Sequence, residues 1–292
     1  MKVLVTGAAG NAGQAVCRRL TAIQARIRMA DMAPPSTEEA GYGEFVRCDT
    51  RTPEDVRRAV QGMDAVIHLA AWHCGHIPPV SDATIFAVNV DGTFNVLEAC
   101  REQGIRAVVY ASSMAYGWGS VYSVTKVLGE DLCRMFHETT GASVALLRYH
   151  DFVPKPYLHF GAKLLRNGVD RRDVADATVA SLQAALEKPG LYFRSIVHTN
   201  HGMPAEVIAD FRRLGPDWCE TQVPGASLLL SKYEISLPER VEQHDLSDAQ
   251  QRIGWKPQIN FLTFLHDLKA RDTRGENIAS LFTPSDLSVV AQ

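Results

Sequence analysis

The first thirteen residues restrict the chain more than any other stretch. Lys2-Val3-Leu4-Val5-Thr6 reads as a short buried strand, Gly7-Ala8-Ala9-Gly10 as a turn, and Asn11-Ala12-Gly13 as the first turn of a helix that continues through Gln14 to Leu20. Gly7 permits a sharp exit from the strand, Gly10 a close backbone approach to a ligand, and Gly13 tight packing of helix on strand. The unpaired N–H groups at the start of that helix form an anion site suited to a pyrophosphate. The spacing is Gly-x-x-Gly-x-x-Gly, not the commoner Gly-x-Gly-x-x-Gly. A second strand, Ala25 to Asp31, ends in a carboxylate about 20 residues past the glycines, where a ribose-binding acid is required. Asp31 is expected to accept from both adenosine ribose hydroxyls and to repel a 2′-phosphate. Met32, Ala33 and Pro34 follow it, with no adjacent arginine, which favours NAD over NADP.

Strand and helix patterns then alternate, which predicts a parallel sheet covered on both faces. The third strand, Glu44 to Cys48, is followed by Asp49 and Thr50, near where an adenine would lie. Pro53 to Val60 is a helix with proline in its first turn. The fourth strand runs from Asp64 to Ala71, and its end Leu69-Ala70-Ala71 is small enough for a cofactor to lie across it. Thr84 to Gln103 repeats at helical period, Arg106 to Ser113 is a fifth strand, Tyr122 to Thr139 a helix and Ser143 to Tyr149 a sixth strand. Beyond Pro154 and Pro156 the pattern loosens, with further helices expected at Arg171 to Glu187, Pro204 to Leu214 and Ser247 to Ile253.

In Tyr122-Ser123-Val124-Thr125-Lys126 a phenol and an ammonium lie at i and i+4, so both project from one helix face. A free tyrosine has a pKa of about 10, and a fixed positive charge nearby is expected to favour the phenolate. Tyr122 could then take the proton of a substrate hydroxyl while hydride leaves for nicotinamide, and Lys126 could hold the nicotinamide ribose.

The glycine turn, Asp31, Asp49, the small end of the fourth strand, Asn89, Ser112-Ser113 and Tyr122/Lys126 occur in the order of the extended short-chain dehydrogenases/reductases. From Lys2 to about Leu268 the chain resembles their NAD-dependent epimerase/dehydratase branch. Asp173-Val174-Ala175-Asp176-Ala177 and Gly254-Trp255-Lys256-Pro257 resemble its late motifs. The resemblance implies an α/β fold, a Rossmann-type doubly wound parallel sheet with a small C-terminal α/β substrate domain. Residues 1–150 would form the NAD domain with 171–190 returning to it, 151–170 and 191–270 the substrate domain, and 271–292 an arm or tail. It implies Tyr122 as acid/base, Lys126 as its modulator, and Ser112 or Ser113 as the hydroxyl orienting the substrate. The implied NAD contacts are Gly7, Ala9, Gly10, Asn11, Ala12, Gly13, Asp31, Asp49, Thr50, Leu69, Ala70, Ala71, Asn89, Tyr122, Lys126 and Tyr149. Substrate contacts would come from His73, His76, Ser113, His150 and Arg172, with His198 and His201 also in the substrate region. Members often dimerise through the helices carrying Asn89 and Tyr122, so Phe86, Val90, Val96, Leu128 and Met135 are candidate homodimer contacts.

The departures narrow the chemistry. Only Met114 to Val121 separate Ser113 from Tyr122, so the long sugar-covering loop of this branch is largely missing. Sugar dehydratases need an acidic pair after the strand-five hydroxyl, where Met114 and Ala115 stand, and His150-Asp151 replaces the asparagine expected after Arg148-Tyr149 near a nucleotide diphosphate. The chain is thus closer to uronate-type sugar dehydrogenases. A nucleotide-sugar epimerase with tightly held NAD is the alternative, and a non-catalytic NAD sensor the reading from another class.

Composition excludes other classes. Lysines and arginines are scattered, the formal net charge is −3, and nucleic acid is not an expected partner. No apolar run reaches the roughly 18 residues of a membrane span. Six separated cysteines without a Cys-x-x-Cys pair suggest reduced, mostly buried thiols in the cytoplasm. His73-Cys74-Gly75-His76 has ligand residue types, but no second cluster of suitable spacing follows, so no metal is expected.

Overall fold

The computed structural model describes residues 1–282. A seven-stranded sheet, ordered β3-β2-β1-β4-β5-β6-β7, carries the architecture. Its strands are β1 Lys2–Thr6, β2 Arg26–Asp31, β3 Glu44–Arg47, β4 Ala65–His68, β5 Ala107–Ser113, β6 Ser143–Tyr149 and β7 Tyr192–Val197. β3 through β6 pair in parallel, and the bonds from Val144 to Leu191 and from His150 to Val197 ascend both chains together at the β7 edge. Val3, Leu4, Val5, Ala65, Val66 and Ile67 are fully buried, as central strands covered on both faces require. Each such aliphatic side chain contributes roughly 1.5–3 kcal/mol.

The helices over this sheet are α1 Asn11–Ala22, α2 Pro53–Val60, α3 Asp82–Phe86, α4 Gly92–Glu102, α5 Val121–Thr140 and α7 Arg171–Glu187, the last preceded in the chain by α6 Tyr157–Leu164. The segment expected as one helix from Thr84 to Gln103 is broken: Ala87–Asp91 forms a π-turn between α3 and α4. An inserted residue of this kind rotates side chains off the α-helical period, and such turns occur frequently at functional sites.

The described residues part into two compact units: Met1–Tyr149, Val174–Ile196 and Asp248–Trp255 in one, and His150–Asp173, Val197–Ser247 and residues 256–282 in the other. The second has its own core, in which Tyr157, Phe211, Phe261, Phe264, Leu265 and Leu268 are buried. Its elements are α6, α8 Ala205–Ala209, α9 Phe211–Gln222, α10 Ala226–Lys232 and α12 Phe261–Thr273, while α11 Ser247–Ile253 lies mostly in the first unit. The stretch expected as a tail from Arg271 is in part ordered. Arg271 is buried, its guanidinium bridging Asp267 and Glu276, and Phe282 forms a β-bridge with Pro156. Residues 283–292 of that expected tail lie outside the described residues.

Candidate active site

Strand order reverses between β1 and β4, and the carboxyl ends of two strands leading away in opposite directions leave the crevice where doubly wound sheets bind ligands. The glycine turn occupies this point. Gly7 has φ +69°, and a Cβ there would come within 2.7 Å of the Ala70 nitrogen; one on Gly13 would lie 2.2 Å from the Gly7 carbonyl. Only bare backbone fits at either position. Gly10 precedes α1 without any side-chain cap on the helix N–H groups, so Asn11, Ala12 and Gly13 open the helix with donors that no side chain satisfies.

The surrounding residues fix this cradle. Asp31 accepts from the Ala9 N–H at 3.0 Å and from Ala33 at 3.2 Å, so the acid and the glycine turn are brought together. Thr6 accepts from the N–H groups of Leu69 and Ala70, and its hydroxyl donates to His68 Nδ1 at 2.7 Å. His68 Nε2 donates in turn to Thr93, whose own proton goes to the Asn89 carbonyl. Burial, and secondarily Lys126, holds the His68 pKa down to about 3, so the ring is neutral. Sequence reasoning missed this Thr6–His68–Thr93 rod, since a histidine in a strand carries no local signal. The cradle, the uncapped donors and the carboxylate beside them suit a dinucleotide.

Tyr122 and Lys126 stand in the first turns of α5, which Ser120 and Ser123 start with a reciprocal capping box. Both are buried. The Lys126 ammonium donates to the Ala111 carbonyl at 2.7 Å and lies 5.7 Å from the centre of the Tyr122 ring. Gly129 follows on the same face, where a Cβ would collide with the Tyr110 hydroxyl at 1.9 Å. The two hydroxyls left open by the sequence separate by the pleat of β5. Ser112 donates to buried Glu130 at 2.5 Å, whereas the Ser113 hydroxyl accepts from the Ala115 N–H at 3.0 Å and acts to lower the pKa of the Tyr122 phenol. Of the two hydroxyls, Ser112 is therefore held by Glu130 and Ser113 is the one that influences the phenol. His73 also faces it, with ring centroids 4.3 Å apart, while His76 packs edge-on against Trp72 at 4.2 Å.

Burial reverses the expected lowering of the phenol. Burial pushes Tyr122 up to about 12 against a smaller opposing effect of Ser113, and burial brings Lys126 down to about 8.

Several expected contacts spend their polar atoms on the protein. Asn89 accepts from the Trp72 N–H and donates to the Trp72 carbonyl and to Thr125, clipping the chain after β4 to α5. Asp49 is paired with Arg51 at 2.6 Å, which holds its carboxyl below the usual range, and Thr50 is buried against Gly92. Tyr149 donates to Thr178, whose proton goes to the Val174 carbonyl. In the second unit, Arg172 grips fully buried Asp170 with two bonds of 2.9 Å. His198 and His201, expected in the substrate region, are fully buried and hold the carbonyls of Arg166 and Glu242. His150, the remaining expected substrate contact, meets His244 and Glu242. That constellation escaped the sequence because His150 stands more than ninety positions before Glu242 and His244 in the chain.

Fold and site together define a dinucleotide-binding α/β protein of the extended short-chain dehydrogenase/reductase type. The family model described as "NAD dependent epimerase/dehydratase family" matches residues 3–156, over half of the chain, and the chain belongs to that family. It is 27% identical to a uronate dehydrogenase of Pseudomonas putida over 171 residues, 53% of this chain and 62% of that enzyme. To the uronate dehydrogenase of Agrobacterium fabrum it is 31% identical over 171 residues, 53% of this chain and 63% of that one. The chain thus aligns with about three fifths of the length of these curated relatives. A UDP-glucose 4-epimerase of Stenotrophomonas maltophila, solved with bound NAD and formylated UDP-arabinopyranose, has the same fold: TM-score 0.65, 19% identity, 94% of this chain and 99% of that one covered.

Proposed function

We propose that the protein is an NAD-dependent oxidoreductase that moves hydride between NAD and a secondary alcohol of a carbohydrate or sugar acid. The observation that carries the reading is the buried Tyr122 phenol with the Lys126 ammonium one turn further along the same helix, 5.7 Å from its ring centre, and the Ser113 hydroxyl acting on it. NAD, when bound, supplies the hydride acceptor for oxidation and the donor for reduction. The glycine turn would hold its pyrophosphate and Asp31 its adenosine ribose, with preference over NADP because a second phosphate would meet the carboxylate. Ser113 orients the substrate oxygen, Tyr122 exchanges its proton, and the Lys126 charge favours the phenolate. His73, packed on the phenol, is the substrate contact best supported in this unit. Met114 and Ala115 supply no carboxylate for dehydration. The named activity of the curated relatives supports a uronate or related sugar acid as substrate. Five buried free thiols suit a reducing cytoplasm. No helix among the described residues is long and apolar enough to cross a membrane.

A phenol held near 12 is almost wholly protonated at neutral pH, and its base form grows with each unit of alkalinity. Oxidation is therefore expected to speed up with pH through the neutral range. Tyr122→Phe should cost on the order of 10²–10⁴-fold in turnover and remove that dependence, while leaving NAD binding intact. The test follows NADH absorbance with a panel of uronates, aldoses and nucleotide sugars. Sustained NADH formation from a free sugar or uronate is the expected result. Retained NAD with no net NADH and a new isomer by NMR would make the protein an epimerase instead.

A further inference from the structure

We propose that His150, His244 and Glu242 form a binding site for a divalent transition-metal cation of the zinc class. The three residues belong to the second unit: His150 directly follows β6, and Glu242 and His244 lie between α10 and α11. This inference stands apart from the oxidoreductase reading and uses none of the residues of Tyr122's surroundings.

Three donor atoms converge. His150 Nε2 lies 3.0 Å from His244 Nε2, His244 Nε2 lies 3.1 Å from Glu242 Oε1, and His150 Nε2 lies 3.7 Å from the same oxygen. A tetrahedral zinc ion with bonds of about 2.0–2.1 Å holds neighbouring ligand atoms about 3.3 Å apart. The observed triangle brackets that value on all three edges.

Proton accounting points the same way. The two ring nitrogens that meet at 3.0 Å can share at most one proton, so one imidazole turns a bare nitrogen toward the other. A neutral imidazole protonated at Nδ1 presents a lone pair at Nε2. Glu242 presents another, so a single ring proton is left to serve three convergent atoms. A cation satisfies all three at once.

The arrangement is braced and open on one side. The Glu242 backbone is fixed at both ends: its carbonyl accepts from fully buried His201 at 2.8 Å and its N–H donates to Leu165 at 3.1 Å. The side chains grade from 3% exposed at His150 through 20% at His244 to 38% at Glu242, so a fourth position faces solvent for water or a further ligand. Two imidazoles and one carboxylate are a borderline donor set, suited to zinc and its neighbours over magnesium or calcium.

The test is a titration of the full chain, first stripped by a chelator, with Co²⁺ followed by its visible ligand-field absorption, then with Zn²⁺ in competition. The expected result is one ion per chain. Since outer-shell changes alone cost about 10–100-fold in metal affinity, His244→Ala and Glu242→Gln are each expected to cost about 100-fold or more. Both side chains reach solvent, and Glu242→Gln keeps the shape should His244→Ala fold poorly. Cys74→Ser, which disrupts the exposed His73-Cys74-Gly75-His76 loop, should leave binding unchanged. Absence of stoichiometric binding, or binding lost in Cys74→Ser and retained in both other variants, would overturn the proposal.

Discussion

His68 shows how much one buried ring can do in a site without touching ligand. Its two nitrogens join Thr6 at the end of β1 to Thr93 in α4, so the strand that carries the glycine turn and the helix that follows the π-turn share a single proton-ordered rod. The ring must remain neutral for that order to hold, because a second ring proton would face Thr6 with a donor where an acceptor is needed. In the unfolded chain a histidine titrates at about 6.5, whereas here it stays unprotonated down to about 3. Between those values the unfolded state binds the extra proton, so stability is full above about pH 6.5 and is lost on acidification at about 1.4 kcal/mol per pH unit from this group. His68→Gln is therefore expected to lose stability less steeply from pH 7 to 5 in denaturant unfolding. Parallel curves for the two proteins would mean that the ring is not the group responsible.

At the scale of elements, β5, α5 and β6 are joined by Glu130. This carboxylate, buried on α5, accepts from Ser112 on β5, takes two bonds from Arg148 on β6 at 2.7 and 2.8 Å, and a longer one from Arg194 on β7. Burial raises its pKa, and the arginines and Ser112 more than reverse that. Glu130→Ala would strand Arg148, itself largely buried, and losses of about 3–5 kcal/mol follow when one partner of such a pair is removed. Thermal melts should show the loss, and a change below about 1 kcal/mol would place the weight of this junction elsewhere. The joint also explains which parts of the chain could be read in advance. The glycine turn, the first six strands and the Tyr122/Lys126 pair are written in local spacing, because fixed backbone geometry dictates those residue types. β7 was not anticipated, since Tyr192-Phe-Arg-Ser-Ile-Val follows Lys188-Pro-Gly in a region that reads as loop. The helix expected from Pro204 to Leu214 is instead two, α8 ending at Ala209 and α9 running from Phe211 through Pro216 to Gln222. Ser112 and Ser113 were indistinguishable in sequence because only the pleat sends one inward to Glu130 and the other toward Tyr122. The His150 constellation was hidden for a plainer reason: distant segments meet only after folding.

At the scale of the whole molecule, α3, the π-turn, α4 and α5 leave Phe86, Phe94, Val124 and Val127 exposed, while Val96, expected among the dimer contacts, is fully buried in the core. Large apolar side chains grouped on neighbouring helices mark an association surface, and we propose that a second copy of the chain covers it. Val124→Asp is expected to convert a dimer to a monomer in sedimentation velocity, and a wild type that already sediments as a monomer would remove the proposal. Val124 and Val127 belong to the same two turns of α5 as Tyr122 and Lys126, on the opposite side of the helix. Self-association would thus brace the very rod that aims the phenol, and specific activity would fall on dilution even with saturating NAD and sugar. In a cell, the abundance of the protein would then set its catalytic quality as well as its quantity.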